Sequence, residues 1–180
     1  VTDIQPLCFS LAKAKDNSMH IQTVTISNFR NFGPSFSLEL KPFTILLGEN
    51  NIGKSNLLAA ITLILGSDIT SQRRRMLEVE DINYTVLLKF KTDVADPSIP
   101  AEKIVFPEVS VTLTLAEMDD DQASVAGDWF IDVELKTAQL CYKFSPNLNL
   151  NKAEWIKKER ERLKDEKSER VKRVSFPLNE

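Results

Sequence analysis

The residues best suited to chemistry stand together at Gly48–Ser55, reading Gly-Glu-Asn-Asn-Ile-Gly-Lys-Ser. They match G-x-x-x-x-G-K-[ST] at every fixed position. The chemistry such a pattern performs is capture of a polyphosphate. Main-chain N–H groups wrap the anion, and glycines let the backbone approach without a Cβ in the way. A helix opening at the second glycine adds its unsatisfied N–H groups and the positive end of its dipole. Lys54 supplies a point charge to the β- and γ-phosphates. The Ser55 hydroxyl is a hard oxygen ligand for Mg²⁺. From average residue usage, a chance match in a chain of 180 residues is on the order of 1%.

The elements around the motif are those the mechanism needs. Phe43–Leu47 (FTILL) is a continuous apolar run, expected to be a strand buried on both faces. Residues 54–65 read as a helix whose apolar face is Leu57, Leu58, Ile61, Ile64 and Leu65. Gly66 follows and suits a left-handed helix end. Upstream, residues 20–28 and the alternating Phe36, Leu38 and Leu40 predict two strands joined by a turn at Asn31, Gly33 and Pro34. Residues 71–80 suggest a short helix. Its Arg73-Arg74-Arg75 cluster could touch DNA phosphates but reads better as a solvated face.

Downstream, the pattern turns to period two. Tyr84, Val86, Leu88 and Phe90 alternate, and so do Val109, Val111, Leu113 and Leu115. Trp129, Ile131, Val133 and Leu135 form a third run, and Leu140, Tyr142 and Phe144 a fourth. These predict an antiparallel sheet with one wet face, the last two runs forming a hairpin. Asp119–Asp121 are expected to begin an acidic loop. Residues 152–174 predict a highly charged helix supported by pairs such as Glu154–Lys158. Its few apolar residues make no broad stripe, so it is expected to lie at the surface and lead onward. It is short and has no heptad seam, which argues against a coiled-coil arm.

Composition narrows the function classes. An apolar share of 42% and a charged share of 27% fit an ordinary globular domain. No run of 18 apolar residues occurs, so no membrane span is expected. Cys8 and Cys141 match no metal spacing and read as reduced thiols of a cytoplasmic protein. A single histidine, His20, rules out histidine-based metal clusters. Net charge is −3, yet residues 152–174 hold ten basic and six acidic residues, a local +4 against −7 elsewhere. The body is therefore no basic nucleic-acid platform.

One part of an ATP-hydrolysing site is not legible. An apolar strand ending in Asp-Glu would hold Mg²⁺ and the attacking water. The nearest lookalike, Trp129 to Glu134, puts Asp132 and Glu134 mid-strand on the polar face, so no catalytic residue is assigned. No LSGG-like signature is found.

The stretch from Ile21 to Leu65 resembles the start of ABC-type ATPase heads outside the transporters: RecF, the SMC-type proteins and, most closely, the OLD family of ATP-dependent nucleases with their Gabija-like antiphage relatives. The likeness is carried by Ile26, Asn28, Phe29, Arg30, Asn31 and Phe32, then by Gly48–Asn56 and Ile61. It implies ATP as the nucleotide, since the loop itself reads phosphates only. The nucleotide-binding set would be Gly48, Glu49, Asn50, Asn51, Ile52, Gly53, Lys54, Ser55 and Asn56, with Arg30 and Asn31 near the nucleotide and Ser55 on Mg²⁺. It implies an α/β fold, the N-terminal lobe of a P-loop NTPase: a mixed sheet around one P-loop helix, an antiparallel β-subdomain and a charged C-terminal helix. Residues 19–180 would be a partial head, with a P-loop lobe at 19–82, a β section at 83–150 and the helix at 151–174. Such heads work as homodimers, and their signature, Walker B and nuclease elements would lie beyond residue 180. Contact with DNA would come through parts outside this chain.

The readings are thus the ATP-binding lobe of an OLD-like nuclease or defence ATPase, a RecF- or SMC-like repair ATPase head, or a truncated non-catalytic nucleotide module. A small-molecule kinase fits poorly, because β patterns rather than βα units follow the motif. Residues 1–18 lack a positive start and an unbroken apolar stretch, so they do not read as a signal peptide. Met19 stands directly before the first strand, and the expectation is a native start there, with 1–18 a non-native extension. Deleting residues 1–18 should leave folding and nucleotide binding intact. A large fall in the thermal midpoint of the deleted form would overturn that expectation.

Overall fold

In the computed structural model, residues 5–7, 19–50, 52–66, 77–132, 134, 137–146, 149–165, 171 and 174–177 are described. The order of elements is β1 (Gln5–Leu7), β2 (His20–Ser27), β3 (Phe36–Glu39), β4 (Ile45–Leu47), α1 (Lys54–Leu65), α2 (Tyr84–Ala95), β5 (Val109–Ala116), α3 (Asp120–Ala126), β6 (Phe130–Asp132), β7 (Thr137–Phe144) and α4 (Lys152–Arg162). The α/β class expected from the sequence holds. Five strands form one sheet in the order β3-β2-β5-β7-β6, and β1 pairs with β4 separately. Every pairing among the described strands is antiparallel.

The strand patterns at β3, β5 and β7 are used as the alternation predicts, and β2 forms where the strand at 20–28 is expected. Val109, Val111, Leu113 and Leu115 are buried along β5, while Ser110, Thr112 and Thr114 are only half-buried. Val24 and Ile26 of β2 and Leu38 of β3 join the same inner face. Helix α1 crosses β5 and β7 and contributes Leu57 and Ala60, both fully buried. Phe29 and Phe32, from the turn after β2, complete this first core.

Several expectations are corrected. Tyr84–Phe90 is not a strand but the start of α2. Asn83 caps that helix, its side chain accepting from the Thr85 N–H at 3.1 Å. The residues that α2 buries are Phe90 and Val94, with Leu87 partly buried, a helical spacing. Tyr84 stays 74% exposed, so the two-residue alternation was incidental to a 3.6-residue period. Asp119 does not open an acidic loop; it caps α3 in a reciprocal box with Gln122 (2.7 and 3.2 Å). The apolar run at β4 is not buried on both faces. Ile45 and Leu47 are 38% and 52% exposed, because β4 has only β1 beside it among the described residues. On α1, Leu58 and Leu65 face outward. Gly66 sits at φ −59° rather than in the left-handed region. Its use is close approach, since a Cβ there would strike the Thr62 carbonyl. The helix suggested at 71–80 lies outside the described residues as far as 76, and Val79–Asp81 forms a single 3-10 turn. Arg73–Arg75 also lie outside them.

The charged C-terminal helix is docked rather than superficial. Ile156 of α4, Leu163 in the following turn and Val174 pack with Phe90, Val94, Ile104 and Phe106 into a second core. Phe90 lies 4.9 Å from Phe106, ring centre to ring centre, and Phe106 meets Trp155 edge-on at 5.6 Å. The Glu154–Lys158 pair forms at 2.8 Å. Polar groups lock the rest. Glu159 is buried, and its carboxylate accepts from Arg162, from the Ser175 N–H and from the Ser175 hydroxyl. Burial pushes its pKa up, but these donors outweigh that and hold it below the ordinary glutamate value. Arg160 reaches the end of α2 and donates to the carbonyls of Asp93, Val94, Asp96 and Ile99 at 2.7–3.2 Å. A donor-only guanidinium thus satisfies the oxygens that a helix terminus leaves open.

Because one side chain serves four carbonyls, Arg160→Met should cost about 2–3 kcal/mol of stability, the scale of charge-assisted bonds lost together with partners left unsatisfied. Urea unfolding should show a lowered midpoint with an unchanged m-value. An unaltered midpoint would mean that water replaces the arginine without loss.

Candidate functional site

Strand β4 leads into the 48–53 loop, and α1 begins at Lys54. Gly53 is the N-cap of α1 at φ 116°, a conformation that favours glycine. The first helical bond runs from the Leu57 N–H to the Gly53 carbonyl at 2.9 Å. Gly53 has no side chain with which to cap, and no acid stands in the first turn. The contrast with the other helices is informative. Asn83, Asp119 and Asn151 each supply a side-chain cap to α2, α3 and α4. The start of α1 is the one α-helix start among the described residues that its own sequence leaves to be satisfied by something else.

Lys54 curls back over the loop, its Nζ donating to the carbonyls of Gly48 and Glu49 at 2.5 and 2.7 Å. The ammonium therefore stands over the loop rather than in bulk solvent. Ser55 is exposed in the first turn of α1. Glu49 and Asn50 form the exposed rim, and Ile52 is half-buried against the first core. Asn51 lies outside the described residues.

Arg30, Asn31 and Asn56 come together behind this loop. Arg30 donates through Nε to Asp81 Oδ1 at 2.7 Å and through Nη1 to Asn56 Oδ1 at 3.0 Å. Asn56 Nδ2 donates to Asn31 Oδ1 at 2.7 Å, and Asn31 Nδ2 donates to the Ile52 carbonyl at 3.1 Å. The chain begins at a group that can only donate and ends at one that can only accept. That polarity fixes the orientation of both amides. It also ties the Ile52 carbonyl to the asparagine. The Asn31 side chain packs so closely on Gly53 that a Cβ there would collide with its amide.

The turn carrying Arg30 and Asn31 is held in an uncommon shape. Asn28 and Arg30 both have positive φ, 57° and 50°. Backbone bonds compensate: Asn28 N–H to Gly33 O at 2.8 Å, Arg30 N–H to Asp81 O at 2.7 Å, Asn83 N–H to Asn28 O at 2.8 Å. The Asn83 side chain donates to the Arg30 carbonyl at 2.8 Å. Phe29 and Phe32 anchor the turn in the first core, and the Arg30 guanidinium lies 5.0 Å from the Phe29 ring centre.

Sequence reasoning missed Asp81 and Asn83. Asn83 carried a legible signal, a helix-capping asparagine, which reading 84–90 as a strand concealed. Asp81 carried none, because its partner lies 51 residues away. Asp132, set aside above as mid-strand, is instead the last residue of β6, the outermost strand of the sheet, opposite Thr137 of β7. Trp129 and Ile131, expected on the inner face, are 51% and 60% exposed, and Phe130 packs inward in their place. The strand that Asp132 ends is therefore not a buried run. A groove of about 1060 Å³ opens between α2, the segment before β5 and the start of α4. It contains none of residues 48–56 and shares with the turn only Asn28, so it is separate from the candidate phosphate loop. Among the described residues, no cluster of His, Cys, Asp and Glu could hold a metal ion. No helix among them is long and apolar enough to cross a membrane.

Over 55 residues, or 31% of its length, the chain is 44% identical to the Old nuclease of Escherichia phage P2. Over 105 residues, or 58% of its length, it is 31% identical to the chromosome partition protein Smc of Synechococcus sp.. The matched stretches span only 9% and 8% of those two proteins. Residues 19–177 match the AAA ATPase domain family, which takes in the uncapped helix, the loop and the arginine–asparagine turn alike. The chain is therefore a member of the AAA ATPase domain family.

Proposed function

We propose that this chain is the ATP-binding lobe of an OLD-like ATP-dependent nuclease or defence ATPase. The observation that carries the nucleotide reading is the start of α1. A complete P-loop motif precedes a helix that no side chain caps, with Lys54 folded over the loop. Residues 48–53 would wrap the phosphates with backbone N–H groups, and Lys54 would leave its two carbonyls for the β- and γ-oxygens. Ser55 would carry Mg²⁺, whose charge offsets that of the phosphates when it is bound. Arg30 and Asn31 would support the loop from behind, with Asn56 between them. The OLD-like assignment is supported by the 44% identity to the phage P2 Old nuclease.

A second reading has its own observation. The similarity to Smc is lower, at 31%, but extends over 105 residues, and it favours a RecF- or SMC-like head. In either case hydrolysis would need a Walker B carboxylate and a signature from outside residues 1–180, with two heads pairing as a homodimer. Coding sequence following residue 180 separates the two: a TOPRIM pattern favours the nuclease, a long heptad region the SMC-like protein.

Lys54→Ala should abolish ATP binding measured by calorimetry while leaving the thermal unfolding midpoint in place. Equal affinity in variant and parent would refute the nucleotide site. The 180-residue chain alone should turn over ATP well below about 1 s⁻¹, the low end for typical enzymes. Faster phosphate release would mean that Asp132 or Glu134 does the work denied to it here.

A further inference from the structure

We infer that Asp81 is a positioning residue of the proposed nucleotide site, holding the Arg30 guanidinium through Nε so that its Nη1 faces the start of α1. This rests on the nucleotide reading above and names a residue that no part of the P-loop motif contains.

Three observations carry it. First, the contact is to Nε and not to the guanidinium tip. The 2.7 Å bond to Asp81 Oδ1 leaves Nη1 to reach Asn56, the third residue of α1, and so turns the planar fork toward the helix start. Second, the carboxylate is itself immobilised. Its Oδ2 accepts from the Glu78 N–H at 3.3 Å, its side chain is only 11% exposed, and its own carbonyl accepts from the Arg30 N–H. Both ends of the arginine, backbone and side chain, are thus fixed by the same residue. Third, the electrostatics call for a counterion. Arg30 stands beside the positive end of α1, which also carries Lys54. Two cations at a helix N-terminus repel each other and the dipole unless anions accompany them. Asp81 neutralises Arg30 from the rear, and the side facing α1 is where a polyphosphate would supply further negative charge. A carboxylate placed behind the arginine orients it without occupying the phosphate side.

A purely structural Asp81 would cap its 3-10 turn and do no more, so the test needs a readout that capping does not move. MgATP affinity is measured by calorimetry for the parent chain, Arg30→Ala, Asp81→Ala and the double variant, with thermal midpoints alongside. Each single change should weaken binding by about tenfold, the size of one charge-assisted hydrogen bond. The double variant should bind no worse than Arg30→Ala if Asp81 affects nucleotide affinity by way of the arginine. The midpoint should fall with Asp81→Ala in either background. Unchanged affinity in Asp81→Ala, or losses that add in the double variant, overturns the inference. If Asp81→Ala does not fold, the isosteric Asp81→Asn runs the same cycle, and additive or absent effects again overturn it. A parent chain that binds no MgATP overturns the nucleotide reading itself. A parent that binds, with Lys54→Ala that does not, confines any failure to Asp81.

Discussion

The candidate site depends on a single file of hydrogen bonds running from Asp81 through Arg30, Asn56 and Asn31 to the Ile52 carbonyl. A phosphate-binding loop has to keep its N–H groups pointed inward, and nothing in a glycine-containing loop does that by itself. Here one loop carbonyl is held by an asparagine whose own orientation is dictated by an arginine. The file joins three segments far apart in sequence: the turn after β2, the start of α1 and the 3-10 turn before α2. Each contributes little regular structure of its own. Their shared polar contacts, over the Phe29 and Phe32 anchors, make one rigid corner of them.

The division of the molecule into cores follows from this. The first core lies under the sheet and α1 and fixes the loop from one side. The second gathers α2, α4 and the aromatic rings of Phe90, Phe106, Trp155 and Phe176. It lies away from the loop and is sealed by Arg160 and Glu159. Half-buried Phe176 borders both cores, stacking on Phe144 of β7 at 6.1 Å. Stability of the second unit therefore reaches the sheet by packing, and reaches the turn by Asn83.

Much of the site was legible because its signals are local. The 48–55 motif, the helix at 54–65 and the alternation along β5 each follow from spacing within a few residues. The errors have physical causes. Tyr84 to Phe90 satisfies a two-residue and a 3.6-residue period at once, and only the asparagine before it decides between them. The sparse apolar residues of α4 look too few to bury, yet Ile156 and Leu163 need only a narrow contact when the buried Glu159 carboxylate, paired with Arg162, closes the remainder. Phe43–Leu47 reads as doubly buried from hydropathy alone, which says nothing about how many strands lie beside it. Asp81 could not be found locally at all, since its meaning is set by a partner across the fold.

Asn83 has a consequence of its own. Its side-chain oxygen caps the start of α2, its side-chain nitrogen holds the Arg30 carbonyl, and its main-chain N–H holds the Asn28 carbonyl. One residue thus belongs to two equilibria: fraying of a helix end and opening of a strained turn. Neither can proceed alone without spending the other's hydrogen bond. Whatever ligand tightens the turn must, by reciprocity, also suppress fraying of the helix.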